Sequence, residues 1–294
     1  MQHDSATAGS APVRREHTMS TTATTPFQPS FAGKVALVAG ASRGIGAVTA
    51  RAFAQAGAAV VLAARDQQAL REVADGIRAE GGQALPVPTD VGDAASVEQL
   101  VHEAVSTFGR LDAAFNNATD GPMPAPLAEI DPDGFDRAIR TNIRGTFLGM
   151  KYQIQAMLRS GGGAIVNMAS VGGVQAAANL AGYVAGKAGI IGLTKVAALD
   201  YADQGIRVNV VAPGPILTHH LERAGEEAQR QAGLSTPMRR VGQSEEVAAA
   251  VIWLCSDQAS FITGTTLPID GGQTAGFKPR QMYRPGQPMK ADAS

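Results

Sequence analysis

Seven short apolar runs recur along the chain, at Val35 to Ala39, Ala59 to Ala63, Ala84 to Val87, Ala113 to Phe115, Ala164 to Asn167, Val208 to Val211 and Thr266 to Ile269. Segments with helical spacing separate them, clearest at Leu70, Val73 and Ile77 and at Val97, Leu100, Val101, Ala104, Val105 and Phe108. Asp66 and Asp93 stand at N-cap positions, and Ser244-Glu245-Glu246 opens another helix with acid in its first turn, where the helix dipole favours it. Alternating units of this length predict an α/β fold, a single Rossmann-type doubly wound domain with a seven-stranded parallel sheet flanked by helices and right-handed crossovers. Ligands then belong at the carboxyl ends of the strands.

At 294 residues one or two domains would fit, but no linker or internal repeat divides the pattern, so one domain is expected over residues 31–276. Residues 1–30 are rich in Thr, Ser, Ala and Pro without an apolar period and read as a disordered leader, with Met19 as a candidate natural start. Arg14 and Arg15 suit a transit peptide, whereas Asp4 and Glu16 count against one. Residues 277–294, with Pro279, Pro285 and Pro288, form a second low-structure tail. No run approaches the length of a membrane span and the leader lacks a signal-peptide core, so a cytoplasmic protein without a membrane partner is expected.

The 25 Lys plus Arg balance 26 Asp plus Glu, which argues against a nucleic-acid partner and for a small diffusible substrate. A single cysteine, Cys255, excludes an intramolecular disulfide and any multi-cysteine metal site, and its apolar setting after Val251-Ile252-Trp253-Leu254 favours packing in a helix.

Gly40-Ala41-Ser42-Arg43-Gly44-Ile45-Gly46 follows the first apolar run and opens a helical segment. In that context glycines allow a tight turn and let a pyrophosphate approach backbone N–H groups at a helix N-terminus. The end of the second strand selects between cofactors: an acid there accepts the ribose 2′-OH of NAD, whereas arginine suits the 2′-phosphate of NADP. Here Ala64 is followed by Arg65, and Arg43 lies within the glycine loop, so two guanidiniums favour NADP. The alternative stays open that both arginines are solvated and Asp66 contacts the ribose of NAD.

Tyr183 and Lys187 are four residues apart in Tyr-Val-Ala-Gly-Lys, thirteen residues after Ser170. On a helix that spacing shares a face, so the Lys187 ammonium is expected to lower the Tyr183 pKa from its ordinary value of about 10 and make the phenol a usable acid or base.

With Asp90-Val91, Asn116-Asn117-Ala118, Asn142, Pro213-Gly214 and Asp270-Gly271-Gly272 in order behind the glycine loop, the chain from about Gly33 to Gly272 resembles the short-chain dehydrogenase/reductase family. The resemblance implies a catalytic tetrad of Asn142, Ser170, Tyr183 and Lys187. Tyr183 would exchange a proton with the substrate oxygen, Ser170 would hold that oxygen, Lys187 would also contact the nicotinamide ribose, and Asn142 would hold a water linking Lys187 to solvent. It implies cofactor contacts from Gly40, Ser42, Arg43, Gly44, Ile45, Gly46, Arg65, Asp90, Val91, Asn117, Ala118, Tyr183, Lys187, Pro213, Gly214, Ile216 and Thr218. Asp90 and Val91 would meet the adenine, Asn117 and Ala118 would brace the adenine and ribose, and Thr218 would meet the carboxamide. Two positions depart from the family pattern: Ala39, where Thr is usual, and Thr119, which replaces a glycine.

The reading that follows is an NADP-dependent oxidoreductase acting on a small ketone or secondary alcohol. A 3-oxoacyl thioester reductase, an NAD-dependent sugar or alcohol dehydrogenase and a nucleotide-sensing binding protein without turnover are its competitors. The small, mostly apolar stretch Val174 to Gly182 suits a nonpolar substrate, and residues 219–240 are expected to form a substrate lid. His219, His220 and Glu222 could suggest a metal, but adjacent histidines do not easily converge on one ion and no further ligand is apparent, so none is expected. The resemblance also implies a homotetramer, with Phe147, Met150, Ile154 and Met157 on one helix, Ile190, Leu193 and Ala197 on another, and the region from Trp253 through Phe261 to Asp270 as contacts.

Overall fold

The computed structural model of the chain describes residues 29–121 and 123–276, so the expected tail and nearly all of the expected leader lie outside the described residues. Its strands are β1 (Val35–Ala39), β2 (Ala59–Ala64), β3 (Gln83–Pro88), β4 (Ala113–Asn116), β5 (Gly163–Met168), β6 (Ile206–Pro213) and β7 (Thr266–Ile269). The helices are α1 (Gly44–Gln55), α2 (Gln67–Ala79), α3 (Ala94–Phe108), α4 (Pro132–Ile139), α5 (Gly145–Ser160), α6 (Val171–Val174), α7 (Ala181–Tyr201), α8 (His219–Arg223), α9 (Glu226–Leu234) and α10 (Ser244–Cys255). One π-helical turn, Arg140–Arg144, joins α4 to α5.

All seven strands are parallel, in the order β3-β2-β1-β4-β5-β6-β7. The order reverses between β1 and β4, and there the carboxyl ends splay into a crevice. The strands read as continuous apolar runs because helices cover both faces. Along β1, Ala36 and Val38 pack with Phe53 of α1, Leu70 of α2 and Val251 of α10, whereas Val35 and Leu37 pack on the other side with Leu100 of α3, Met157 of α5 and Ala197 of α7.

Local chemistry starts the helices where the sequence indicates. The Asp66 side chain accepts from Ala69 N at 3.1 Å and that of Asp93 from Ser96 N at 2.8 Å. At α10 the N-cap is Gln243, and it forms a capping box with Glu246. Cys255 is buried in α10, and burial pushes its thiol up to about 12, which leaves it unreactive at neutral pH.

The expected interface positions need correction. Met150, Ile154 and Met157 of α5 and Ile190 and Ala197 of α7 are buried within the subunit, because these are the stripes that pack against the sheet and its neighbours. The large apolar side chains that these helices expose are Phe147 at 48%, Leu158 at 39%, Val196 at 57% and Leu199 at 84%.

Candidate active site

The crevice opens into a cleft of about 640 Å³ that runs from Arg43, Ala64, Arg65 and Asp66 at one end to Ser170, Tyr183 and Lys187 at the other. Of the residues expected to bind or react, all but two line it. Gly46 and Asn142 are the exceptions.

Gly46 lies behind the wall for a packing reason. It is buried, and any Cβ there would strike the Gly40 carbonyl, so this glycine allows α1 to pack on the turn. Gly40 itself has φ +75°, and a Cβ on it would come within 2.8 Å of the Ala118 backbone nitrogen. Asn117 secures the turn by donating from Nδ2 to the Gly40 carbonyl at 3.1 Å. Arg43, at the N-cap of α1, makes no side-chain cap, and the first turn holds no acid. The α1 N-terminus therefore presents N–H groups and the positive end of its dipole to the cleft, in a cradle that fits a pyrophosphate.

At the far end of β2, Arg43 Nη2 meets Asp66 Oδ2 at 3.2 Å, while the other Asp66 oxygen caps α2. Both guanidinium-bearing residues, Arg43 and Arg65, are exposed on the cleft wall, and Asp66 follows Arg65 directly in sequence.

At the opposite end α7 carries Tyr183 and Lys187 past the end of β5, which leads into Ser170. Ser170 hydrogen-bonds the Tyr183 phenol, and its Oγ also accepts from Gly172 N at 3.1 Å.

The expected effect of Lys187 on Tyr183 is overturned. The Tyr183 pKa lies above its ordinary value, because burial disfavours the phenolate by more than the Ser170 hydrogen bond favours it. Lys187 is fully buried, donates to the Met168 carbonyl at 2.9 Å, and is lowered by burial to about 7. Its Nζ is 5.6 Å from the Tyr183 ring centre, a position over the ring rather than on the hydroxyl. The Tyr183 phenol therefore stays protonated at neutral pH.

Asn142 stands behind the cleft wall. It sits fully buried in the π-turn, and its amide donates to the Asp120 carbonyl at 2.6 Å and the Ala138 carbonyl at 2.9 Å. Its Oδ1 accepts from the Thr119 hydroxyl at 2.9 Å. With both amide hydrogens committed, its side chain ties the loop after β4 to the helix behind Tyr183.

Thr119, Asp120 and Met168 line the cleft without having been singled out as site residues in the sequence. Thr119 carried a signal, its departure from the family's glycine, but its hydrogen-bond partner lies 23 residues away. Met168 acts through its backbone carbonyl, which no residue type marks.

The segment 219–240 folds as α8 and α9 and is anchored at its end. Leu217 N donates to the Gly242 carbonyl at 2.8 Å, and Arg240 pairs with Glu246 through both nitrogens at 2.8 and 2.7 Å. Those hydrogen bonds, with a third from Gln243 N, hold Glu246 down at about 2. No cluster of three or more metal-capable His, Cys, Asp or Glu occurs among the described residues. No helix among them is long and apolar enough to cross a membrane.

Residues 40–274 match the family model described as enoyl-(acyl carrier protein) reductase. A cyclohexanol dehydrogenase from Acinetobacter sp. (strain SE19) is 44% identical over 245 residues, covering 83% of this chain and 96% of that protein. The chain is a short-chain dehydrogenase/reductase. Among other relatives in the family, an A-factor type γ-butyrolactone 1′-reductase (1S-forming) from Streptomyces virginiae is 41% identical, over 85% of this chain and 99% of its own length. The crystal structure of levodione reductase superposes with a TM-score of 0.81 at 35% identity, over 84% of this chain and all of that one. Short-chain dehydrogenase/reductases are nicotinamide-dinucleotide oxidoreductases of alcohols and ketones, and this chain is an oxidoreductase of that family.

Proposed function

We propose that the protein interconverts a small, uncharged ketone and its secondary alcohol with NADP as cofactor. The observation that carries this reading is the pairing of Ser170 with a protonated Tyr183 at one end of a cleft whose other end exposes Arg43 and Arg65. The glycine turn and the α1 N-terminus would hold the pyrophosphate, the two arginines the 2′-phosphate, and Pro213, Gly214, Ile216 and Thr218 the nicotinamide. When bound, the reduced dinucleotide supplies a hydride to the carbonyl carbon.

The chain's own groups manage the oxygen. Ser170 donates a hydrogen bond that positions it, and Tyr183 Oη delivers the proton that turns the developing alkoxide into an alcohol. Oxidation runs the same transfer backwards. Lys187 lies over the ring of Tyr183 and donates to the Met168 carbonyl at the end of β5. Relatives named for cyclohexanol and for a γ-butyrolactone support a small cyclic substrate.

One observation favours a second cofactor. Asp66 lines the cleft and offers carboxylate oxygen where NAD presents a ribose hydroxyl, so NADH is the competitor to be measured. Loss of reduced-cofactor absorbance with a panel of cyclic ketones, run in parallel with NADPH and NADH, tests the reading. Consumption of NADPH above NADH supports it, and inertness of the panel with both cofactors overturns it.

We also propose that four copies associate through the outward faces of α5 and α7, with the region around Phe261 as the second contact. Phe147, Val196 and Leu199 stand exposed on the two helices, and Phe261 is fully exposed.

A further inference from the structure

The π-turn that carries Asn142 also grips the loop after β3, and it does so through two arginines. Arg140 meets the Asp90 carboxylate with both terminal nitrogens, Nη1 to Oδ1 at 3.2 Å and Nη2 to Oδ2 at 2.9 Å. Arg144 donates from Nε to the Gly92 carbonyl at 3.0 Å. Gly145 packs on Val91, where a Cβ would come within 2.9 Å of Val91 Cγ2.

Gly92 gives Arg140 its place. A Cβ on Gly92 would lie 2.7 Å from Arg140 Cζ and Nη1, so the guanidinium rests where any other residue would put its side chain. The φ of Gly92 is not positive, so its backbone does not require glycine, and the space for Arg140 does.

The arrangement leaves a defined acceptor. An ionised carboxylate has about four lone-pair positions. Asp90 Oδ1 takes Arg140 Nη1 and also Gly92 N at 2.9 Å, and Oδ2 takes Arg140 Nη2, so one position on Oδ2 remains. Asp90 and Val91 both line the cleft. The guanidinium also holds the Asp90 pKa below its ordinary value, which keeps the group an acceptor only.

We propose that Arg140, seated on Gly92, is a positioning residue for base recognition: it orients Asp90 so that its remaining Oδ2 lone pair accepts from the exocyclic amino group of adenine. This rests on the reading that the cleft binds a nicotinamide adenine dinucleotide. A carbonyl oxygen at the same place on the base, as in hypoxanthine, meets a carboxylate oxygen and is repelled.

The test is binding without turnover, by isothermal titration of the full chain with NADPH and with its hypoxanthine counterpart. The wild type should prefer NADPH by about tenfold or more, since a site built to accept an N–H rejects the analogue that lacks it. Arg140→Met should reduce that ratio to about two, chiefly by weakening NADPH, because the freed carboxylate no longer holds its aim. Loss of positive charge alone would weaken both ligands together and leave the ratio intact. Gly92→Ala keeps every charge but displaces the guanidinium, and it should collapse the ratio in the same way, which keeps the test decisive if Arg140→Met fails to fold. An unchanged ratio in a folded variant overturns the role of Arg140 alone. A wild type that binds neither dinucleotide overturns the cofactor reading and this inference with it.

Discussion

The Lys187 ammonium donates to the Met168 carbonyl oxygen at 2.9 Å and stands 5.6 Å from the centre of the Tyr183 ring. A cation buried with one neutral partner is costly, and its pKa of about 7 against an ordinary 10.5 expresses that cost. The folded chain therefore sheds this proton near pH 7 while the unfolded chain keeps it to about 10.5, so the unfolded state binds more protons in between and stability rises with pH across that window. Lys187→Met should be more stable than the wild type by about 3–5 kcal/mol at and below pH 7. The gap should close as pH approaches the ordinary lysine value. Urea unfolding of both proteins at several pH values checks this, and a gap independent of pH would contradict it.

The Thr119 hydroxyl is the donor to a buried Asn142 oxygen. Thr119→Val keeps the shape but leaves that oxygen without its partner, and should destabilise by about 1–3 kcal/mol. Thr119→Ser should stay within about 0.5 kcal/mol of wild type, since the hydroxyl remains. Thermal unfolding of the pair separates the hydrogen bond from side-chain packing.

Much of this architecture was legible because both faces of each strand are covered, which turned the strands into the apolar runs that mark them. The Asp66 and Asp93 caps were legible as well, since capping acts within three residues. The partners of Lys187 and Asn142 were not. One is a backbone carbonyl on β5, and the others lie on the loop after β4 and in α4, reached from a π-turn whose extra residue has no compositional mark. Which apolar stripe of α5 and α7 faces inward was equally hidden, because both stripes carry large side chains and only packing distinguishes Met150 from Phe147.

Cofactor choice should depend on Arg65 more than on any carboxylate. Arg65→Ala should weaken NADPH by about 1.5–3 kcal/mol and NADH little, as a charge-assisted phosphate contact is lost. Replacing Arg43 as well should turn the preference towards NADH and free Asp66 from its 3.2 Å pair. Equal losses for both cofactors in a binding titration would show that Arg65 does not read the 2′-phosphate.

Assembly gives another check. Leu199 is 84% exposed and Val196 57% on α7, and a closed arrangement of four copies would cover them. Sedimentation at micromolar concentration should report four chains for the wild type and smaller species for Leu199→Lys. An active wild-type monomer would contradict the arrangement.

The central claim is that Tyr183 delivers the proton, and the most direct measurement is turnover set against cofactor binding in Tyr183→Phe. With a cyclic ketone that the wild type reduces, this variant should lose about a hundredfold or more in turnover while its NADPH dissociation constant stays within a few fold, because only the proton donor has gone. Near wild-type turnover in Tyr183→Phe would contradict the account.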